Sequence, residues 1–222
     1  MNTNPNLIFH KKVWLIPSIF IFIIWFIYFI EICFNYNFNK YGVLPRDIKG
    51  LRGVLFSPFV HTDTNHLFNN SIPLFVLLSS LFYFYKKVAF KVLIYGAFLL
   101  GFLLWLIGRD SFHIGASGIV YLLFSFLFFS GIFKNHYRLI ALSLIVIFLY
   151  GSMIWYILPI KEGMSWEGHL SGFSVGLMYA YLYRKQGTVK EEHKFTETEF
   201  DTFFDENGNL KQEIKDVTVS DE

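Results

Sequence analysis

Long apolar runs separated by short polar segments dominate the pattern of residues along the chain. Six runs come close to the roughly 20 residues that an α-helix needs to cross a bilayer core. They are Val13 to Ile32, Leu67 to Tyr85, Val88 to Gly108, Ile114 to Phe133, Leu139 to Leu158 and Trp166 to Tyr183. The runs lack the alternation of membrane barrel strands, so the pattern predicts an all-α membrane protein with six transmembrane helices.

The polar segments divide the chain into three predicted regions. These are a short cytoplasmic N-terminus at 1–12, a membrane domain at 13–185 and a polar tail at 186–222. The first apolar run is uncharged and no small-residue cleavage site follows it, which favours a retained span over a cleaved signal peptide. The tail is rich in acidic and other polar residues, which is typical of a disordered extension. A small partner-binding element around Phe203 and Phe204 is the alternative.

Composition agrees with a membrane location. Hydrophobic residues make up 54% of the 222-residue chain and charged residues 16%, which is more apolar surface than a soluble domain of this size can bury. The net charge of +2 does not suggest a nucleic-acid partner. The single cysteine, Cys33, cannot form an internal disulfide.

The basic residues predict an orientation. Nine of them fall on one side of a six-span arrangement: Lys11, Lys12, Lys86, Lys87, Lys91, Lys134, Arg138, Arg184 and Lys185. Because basic residues favour the cytoplasmic side, both termini are predicted to be cytoplasmic. The first external loop, from Cys33 to about Asn65, also holds four basic residues. It contains the apolar stretch Val54 to Val60, which favours a position in the membrane interface.

One group of polar residues precedes and enters the second span. If a helix begins at Asp63 or Thr64, His66 and Asn70 lie four residues apart on one face, and His61 lies in the preceding loop. An imidazole and a carboxamide in this arrangement can direct two donors at one anionic oxygen. The alternative is a polar helix start near the lipid headgroups.

A second group, Gly115-Ala116-Ser117-Gly118, lies at the start of the fourth span. Glycines beside a serine let other backbone come close, and the first turn of a helix has unpaired amides at its positive end. These properties suit a nucleophile. The alternative is a small-residue packing site between membrane helices.

A third group in the sixth span contains His169, Gly172 and Gly176. The two glycines form a small-xxx-small pair that allows close approach to a neighbouring helix. His169 lies about one turn before Gly172, on roughly the same face, so it could reach Ser117. The alternative is a histidine hydrogen-bonded to backbone in a helix interface.

Together these residues resemble the rhomboid family of intramembrane proteases over about Leu44 to Arg184. That family has a loop His followed by His-x-x-x-Asn in the second span, Gly-x-Ser-Gly in the fourth and His-x-x-Gly-x-x-x-Gly in the sixth. The matching residues are His61, His66 and Asn70, then Gly115, Ser117 and Gly118, then His169, Gly172 and Gly176. One departure is Leu51-Arg52, where family members often have Trp-Arg.

The resemblance implies a serine endopeptidase that uses no metal or cofactor. By this resemblance Ser117 is the nucleophile, His169 the general base, and the Ser117 amide forms the oxyanion hole with His66 and Asn70. Tyr121 would pack on the catalytic histidine. The expected partners are membrane-protein substrates and the lipid bilayer, and the expected location is the bacterial inner membrane.

Other functions fit the residues less well. The chain has no His-Glu-x-x-His motif for a zinc protease. An aspartyl protease needs two carboxylates inside the membrane, whereas Glu31 and Asp110 lie at the ends of predicted spans. A transporter would normally show internal repeats. The alternative that stays open is an inactive rhomboid-like protein that binds or escorts membrane clients, although such a protein would be expected to have lost Ser117, His169 or the oxyanion donors.

Overall fold

The computed structural model describes residues 10–150, 155–160, 163–187 and 200–211. The part of the chain that it describes is helical, with isolated β-bridges and no strand. The α-helices are α1 (Lys12–Cys33), α2 (Gly53–Phe56), α3 (Thr64–Phe84), α4 (Ala89–Ile107), α5 (Ser117–Phe133), α6 (Tyr137–Tyr150) and α7 (Trp166–Leu182). The predicted all-α class is therefore confirmed for these residues.

Three helices, α1, α3 and α4, are long and apolar enough to cross a membrane. Helix α5 and the part of α6 up to Phe148 are apolar but shorter. Helix α3 begins at Thr64, three residues before the predicted span, at one of the two starts considered from the sequence. The Asp63 carboxylate accepts a hydrogen bond from the His66 amide at 2.9 Å and so caps the helix.

Two further predicted boundaries were wrong. The fourth span was predicted from Ile114, but α5 begins at Ser117, because Gly115 has a φ of 104°, which lies outside the helical region. The fifth span was predicted to continue to Leu158, whereas Trp155–Ile157 forms a 3₁₀ turn. Pro159 disfavours helical backbone at Leu158, the predicted end of the span. Residues 151–154 lie outside the described part of the chain.

Helix α5 is the centre of the membrane domain. It contacts α3, α4, α6 and α7, and every residue from Ile119 to Leu127 is buried. The outer helices show the opposite pattern, with large apolar side chains such as Phe22, Phe26 and Phe29 of α1 exposed. An apolar exterior around a packed interior is what a lipid environment favours.

Helices α5 and α7 pack closely through glycines of α7. A Cβ atom on Gly172 would lie 2.1 Å from the carbonyl oxygen of Gly118, and one on Gly176 would lie 2.2 Å from that of Leu122. The Ser125 hydroxyl also donates to the Phe173 carbonyl at 2.8 Å. Only residues without a Cβ allow the two backbones to approach this closely.

The loop between α1 and α3 is folded and attached to the rest of the domain. The backbone of Val43 exchanges hydrogen bonds of 2.8 and 2.9 Å with that of His113, just before α5. The Arg46 guanidinium donates to the Gly108 carbonyl at 2.7 Å, and the Trp105 indole donates to the Asp47 carbonyl at 2.8 Å. The loop therefore supports the segment that leads into α5.

Residues 191–222 form a second unit, of which 200–211 are described. In it the Asp205 carboxylate accepts hydrogen bonds from the Asn207 and Asn209 amides, and Phe204 pairs with Leu210. The turn contains Phe203 and Phe204, around which the sequence suggests a small partner-binding element as the alternative to a disordered tail. Most of the predicted tail at 186–222 and residues 1–9 of the predicted N-terminus at 1–12 lie outside the described residues, so the predicted domain boundaries stay predictions.

Candidate active site

Ser117 is the first residue of α5, and the turn before it is closely held. The Gly115 amide donates to the Ser57 carbonyl at 2.9 Å, and the Ala116 amide donates to Nε2 of His61 at 3.4 Å. A Cβ atom on Gly115 would lie 2.7 Å from Nε2 of His66. The glycine is therefore required both for its positive φ and for the approach of the His66 ring.

His61 lies in the loop before α3 and is almost completely buried. Burial lowers the pKa of its imidazole to about 3, and the neighbouring His66 acts in the same direction. A neutral ring leaves Nε2 able to accept the Ala116 amide hydrogen. His61 thus supports the backbone on which Ser117 lies.

The structure brings Ser117 and His169 together. The Ser117 Oγ lies 2.9 Å from Nε2 of His169, and Nδ1 of the same ring lies 2.8 Å from the carbonyl oxygen of Tyr156. A carbonyl oxygen only accepts hydrogen bonds, so Nδ1 carries the hydrogen of a neutral ring and Nε2 is left to accept the serine proton. This is the protonation that a general base needs.

Tyr121 packs against the same histidine. Its ring centroid lies 4.2 Å from that of His169, with an angle of 17° between the planes. Tyr121 is four residues after Ser117 on α5, so one helix carries both the serine and the ring that stacks on its partner.

His66 and Asn70 lie one turn apart on α3, beside the Gly115 turn. Among the described residues, the buried Nδ2 atom of Asn70 has no hydrogen-bond partner. The Thr62 hydroxyl donates to Asp63 at 2.9 Å and lies 3.2 Å from Nδ1 of His66, so Nδ1 donates to Thr62. Nε2 of His66 then becomes a donor when the ring is protonated.

A second polar group, which the sequence analysis missed, joins the segment before α5 to the start of α7. The ring of His113 lies 2.6 Å from the Ser165 hydroxyl through Nδ1. The guanidinium of Arg109 lies 3.5 Å from the buried carboxylate of Glu167. These four side chains belong to no recognisable sequence motif, and His113 and Ser165 are separated by 52 residues.

A small cavity opens next to Ser117. Its wall combines serine, histidine and apolar side chains with glycine backbone, from Ser57, Pro58, Leu100, Leu104, His113, Ile114, Gly115, Ser117, Gly118, Ile119, Ser165 and Gly168. No group of three His, Cys, Asp or Glu side chains suited to a metal ion occurs among the residues described.

A sequence model of the Rhomboid domain matches residues 49–186, which is more than half of the chain. The chain belongs to the rhomboid family. Members of the family are in general intramembrane serine proteases, and the apolar helices agree with an integral membrane protein. The matched range includes Ser117, His169 and the residues around them, and also the second polar group of Arg109, His113, Ser165 and Glu167.

Curated relatives of this rhomboid protein occur in mycobacteria. Uncharacterized proteins of Mycobacterium bovis and Mycobacterium tuberculosis are 37% identical over 155 residues, which cover 64% of this chain and 62% of each relative. An uncharacterized protein of Mycobacterium leprae is 35% identical over 172 residues, covering 69% of this chain and 65% of the relative. The chain thus spans less than two thirds of the length of these relatives.

Proposed function

We propose that this rhomboid protein is an intramembrane serine endopeptidase that cleaves transmembrane segments of membrane-protein substrates with a Ser117–His169 dyad. The observation that carries the proposal is the 2.9 Å contact between the Ser117 Oγ and Nε2 of His169. The 2.8 Å contact of Nδ1 with the Tyr156 carbonyl supports it, because it leaves Nε2 in the basic form.

In the first step, Nε2 of His169 removes the Ser117 hydroxyl proton while Oγ attacks the carbonyl carbon of a substrate peptide bond. The carbonyl oxygen becomes an oxyanion in a tetrahedral intermediate. Collapse of the intermediate breaks the C–N bond, and the protonated His169 gives its proton to the leaving amine. The same histidine then activates a water molecule, which hydrolyses the Ser117 ester and releases the acid product.

The oxyanion is proposed to bind beside the Gly115 turn. The Ser117 amide lies at the positive end of α5, where the first amides of a helix have no intrahelical acceptor. The unpartnered Nδ2 atom of Asn70 is a second donor, and Nε2 of a protonated His66 is a third. An amide that is buried without a partner is costly unless a ligand uses it.

The proposal includes six transmembrane helices, α1, α3, α4, α5, α6 and α7, with both termini in the cytoplasm of a bacterial cell. Helix α5 has 17 residues, which gives about 25 Å of helix against a hydrocarbon core of roughly 30 Å. A short central helix with its first residue on the external side would place Ser117 below the membrane surface. Substrate helices must then unwind locally, because an intact helix hides its carbonyl groups in hydrogen bonds.

The test is cleavage of a single-span model substrate by the purified protein in proteoliposomes. We expect the wild-type protein to cleave it and to react with a fluorophosphonate probe, whereas Ser117→Ala does neither and His169→Ala loses nearly all cleavage. Ser174→Ala, which removes an exposed hydroxyl on α7, is the matched control and retains activity. Equal cleavage by the wild type and Ser117→Ala would overturn the assignment of Ser117 as the nucleophile. A wild-type protein that neither cleaves nor labels would overturn the protease proposal and favour a protein that binds membrane clients without cutting them.

A further inference from the structure

His113 connects three parts of the membrane domain. Its backbone pairs with Val43 of the first loop, and it precedes Ser117 by only four residues. Its buried ring lies 3.0 Å from the Arg109 carbonyl through Nε2 and 2.6 Å from the Ser165 hydroxyl through Nδ1. The segment that leads to the nucleophile is thereby joined to the residue just before α7.

The hydrogen bonds of this connection have a single consistent direction. The Arg109 carbonyl can only accept, so Nε2 of His113 carries the ring hydrogen and Nδ1 accepts from the Ser165 hydroxyl. The Ser165 oxygen in turn accepts from the Gly168 amide at 3.3 Å. Burial lowers the pKa of His113, which agrees with the neutral ring that this direction requires.

Ser165 is the N-cap of α7 and fixes the turn that carries His169. Its side chain accepts the Gly168 amide hydrogen, and its carbonyl accepts the His169 amide hydrogen at 3.2 Å. Any shift of Ser165 therefore moves the first turn of α7 directly. A second link lies beside it, because Arg109 donates to the Met164 carbonyl at 2.6 Å.

We propose that His113 and Ser165 are positioning residues that hold Ser117 and His169 at reacting distance. The inference rests on the protease function proposed above. The glycine contacts of α7 join the two helices from Gly118 onwards, whereas the His113–Ser165 hydrogen bond joins the segments that lead into them. A displacement of about 1 Å between reacting groups can lower a rate about 10²-fold, so this bond can govern the rate without contacting the substrate's scissile bond.

Four variants separate the contacts of the pair. Ser165→Ala removes the hydroxyl, and Ser165→Thr keeps it. His113→Asn keeps an acceptor near the position of Nδ1, whereas His113→Gln keeps only a donor near the position of Nε2. We expect kcat to fall about 10- to 100-fold in Ser165→Ala and His113→Gln, with KM within about twofold, and to stay within about threefold in Ser165→Thr and His113→Asn.

The matched control is Ser125→Ala, which removes a serine hydrogen bond between α5 and α7, two turns away from Ser117. If these serine hydrogen bonds act only through stability, Ser125→Ala and Ser165→Ala would each lower kcat in proportion to the decrease in unfolding temperature that they cause. We expect Ser125→Ala to lower the unfolding temperature and leave kcat within about twofold.

The experiment measures kcat, KM, the rate of fluorophosphonate labelling and the unfolding temperature for each variant in one detergent. We expect labelling to slow in parallel with kcat. The double variant His113→Gln/Ser165→Ala should lose no more than the worse single variant, because each single change already breaks the His113–Ser165 hydrogen bond. Unchanged kcat in Ser165→Ala, equal losses in His113→Asn and His113→Gln, or losses that multiply in the double variant would overturn this proposal alone. A wild-type protein that neither cleaves nor labels would overturn the proposed function and this proposal with it.

Discussion

Gly172 of α7 faces the backbone carbonyl of Gly118 of α5 so closely that a Cβ atom on Gly172 would lie 2.1 Å from the carbonyl oxygen. The obstacle is backbone at the start of a buried helix, so it cannot move aside as a flexible side chain can. Because Gly118 follows Ser117 directly, this contact also lies next to the candidate active site.

We therefore predict that Gly172→Ala destabilises the membrane domain by about 1–3 kcal/mol and lowers activity together with stability. Thermal unfolding in detergent and cleavage of the model substrate would measure the two effects. Ser174→Ala, an exposed position on the same helix, provides the control. A Gly172→Ala protein as stable as Ser174→Ala would show that the two helices pack less closely than described.

The unpartnered amide of Asn70 predicts a defect in catalysis. We expect Asn70→Ala to lower kcat about 10²- to 10³-fold, because an oxyanion donor acts mainly in the transition state. The adjacent Asn69 is exposed, so Asn69→Ala makes the same chemical change outside the site and should retain kcat. Similar kcat values for these two variants would contradict a role for Asn70 in the oxyanion hole.

Stacking of Tyr121 on His169 predicts a smaller effect. An aromatic pair contributes about 0.5–1.5 kcal/mol, which corresponds to roughly 2- to 10-fold in rate if the stacking orients the base. We expect a loss of this size in Tyr121→Leu, and less in Tyr121→Phe because phenylalanine keeps the ring. The ratio of kcat between the two variants is the measurement, and a ratio of one would rule out orientation by stacking.

The alignment of the base differs from that of a Ser-His-Asp triad, because a main-chain carbonyl accepts the Nδ1 hydrogen of His169. The buried carboxylate that is nearest in sequence, Glu167, contacts Arg109 instead. We expect Glu167→Gln to keep kcat within about tenfold, whereas loss of a triad carboxylate costs about 10⁴. Steady-state cleavage at neutral pH distinguishes these outcomes, and a loss near the larger value would assign Glu167 a catalytic part.

Burial of His61 predicts a pH-dependent stability. Its pKa is about 3 in the folded protein and 6.5 for an unperturbed histidine, so the unfolded state binds a proton first as the pH falls. The neutral His61 ring therefore stabilises the folded protein fully above pH 6.5, and this contribution to the free energy of unfolding is lost progressively towards pH 3. At pH 5 the loss from this residue would be about 2 kcal/mol.

The variant for this prediction is His61→Gln, which removes the titrating group and keeps an acceptor for the Ala116 amide. We expect its unfolding temperature to fall less than that of the wild type between pH 7.5 and pH 5. Parallel curves for the two proteins would contradict the prediction. His113 titrates in the same direction but is present in both proteins, so the difference between them reports on His61.

Local chemistry explains how much of this site could be predicted from the sequence. The helix cap at Asp63 could be predicted because a capping side chain acts within one helical turn. The close approach at Gly172 could be predicted because a glycine at a helix contact allows it. The Tyr156 carbonyl could not be predicted, since every residue has one and only the folded backbone places it against His169. The His113–Ser165 pair shows no sequence pattern, because its two members lie on segments 52 residues apart in the chain.

The Tyr156 carbonyl has a further consequence for how the site tolerates mutation. Every amino acid that could occupy position 156 supplies the same main-chain acceptor, so no side-chain substitution there deletes the group that orients His169. The hydroxyl of Ser117 and the imidazole of His169 have no such protection. A substitution at position 156 therefore leaves the acceptor for His169 in place, as long as the backbone keeps its course.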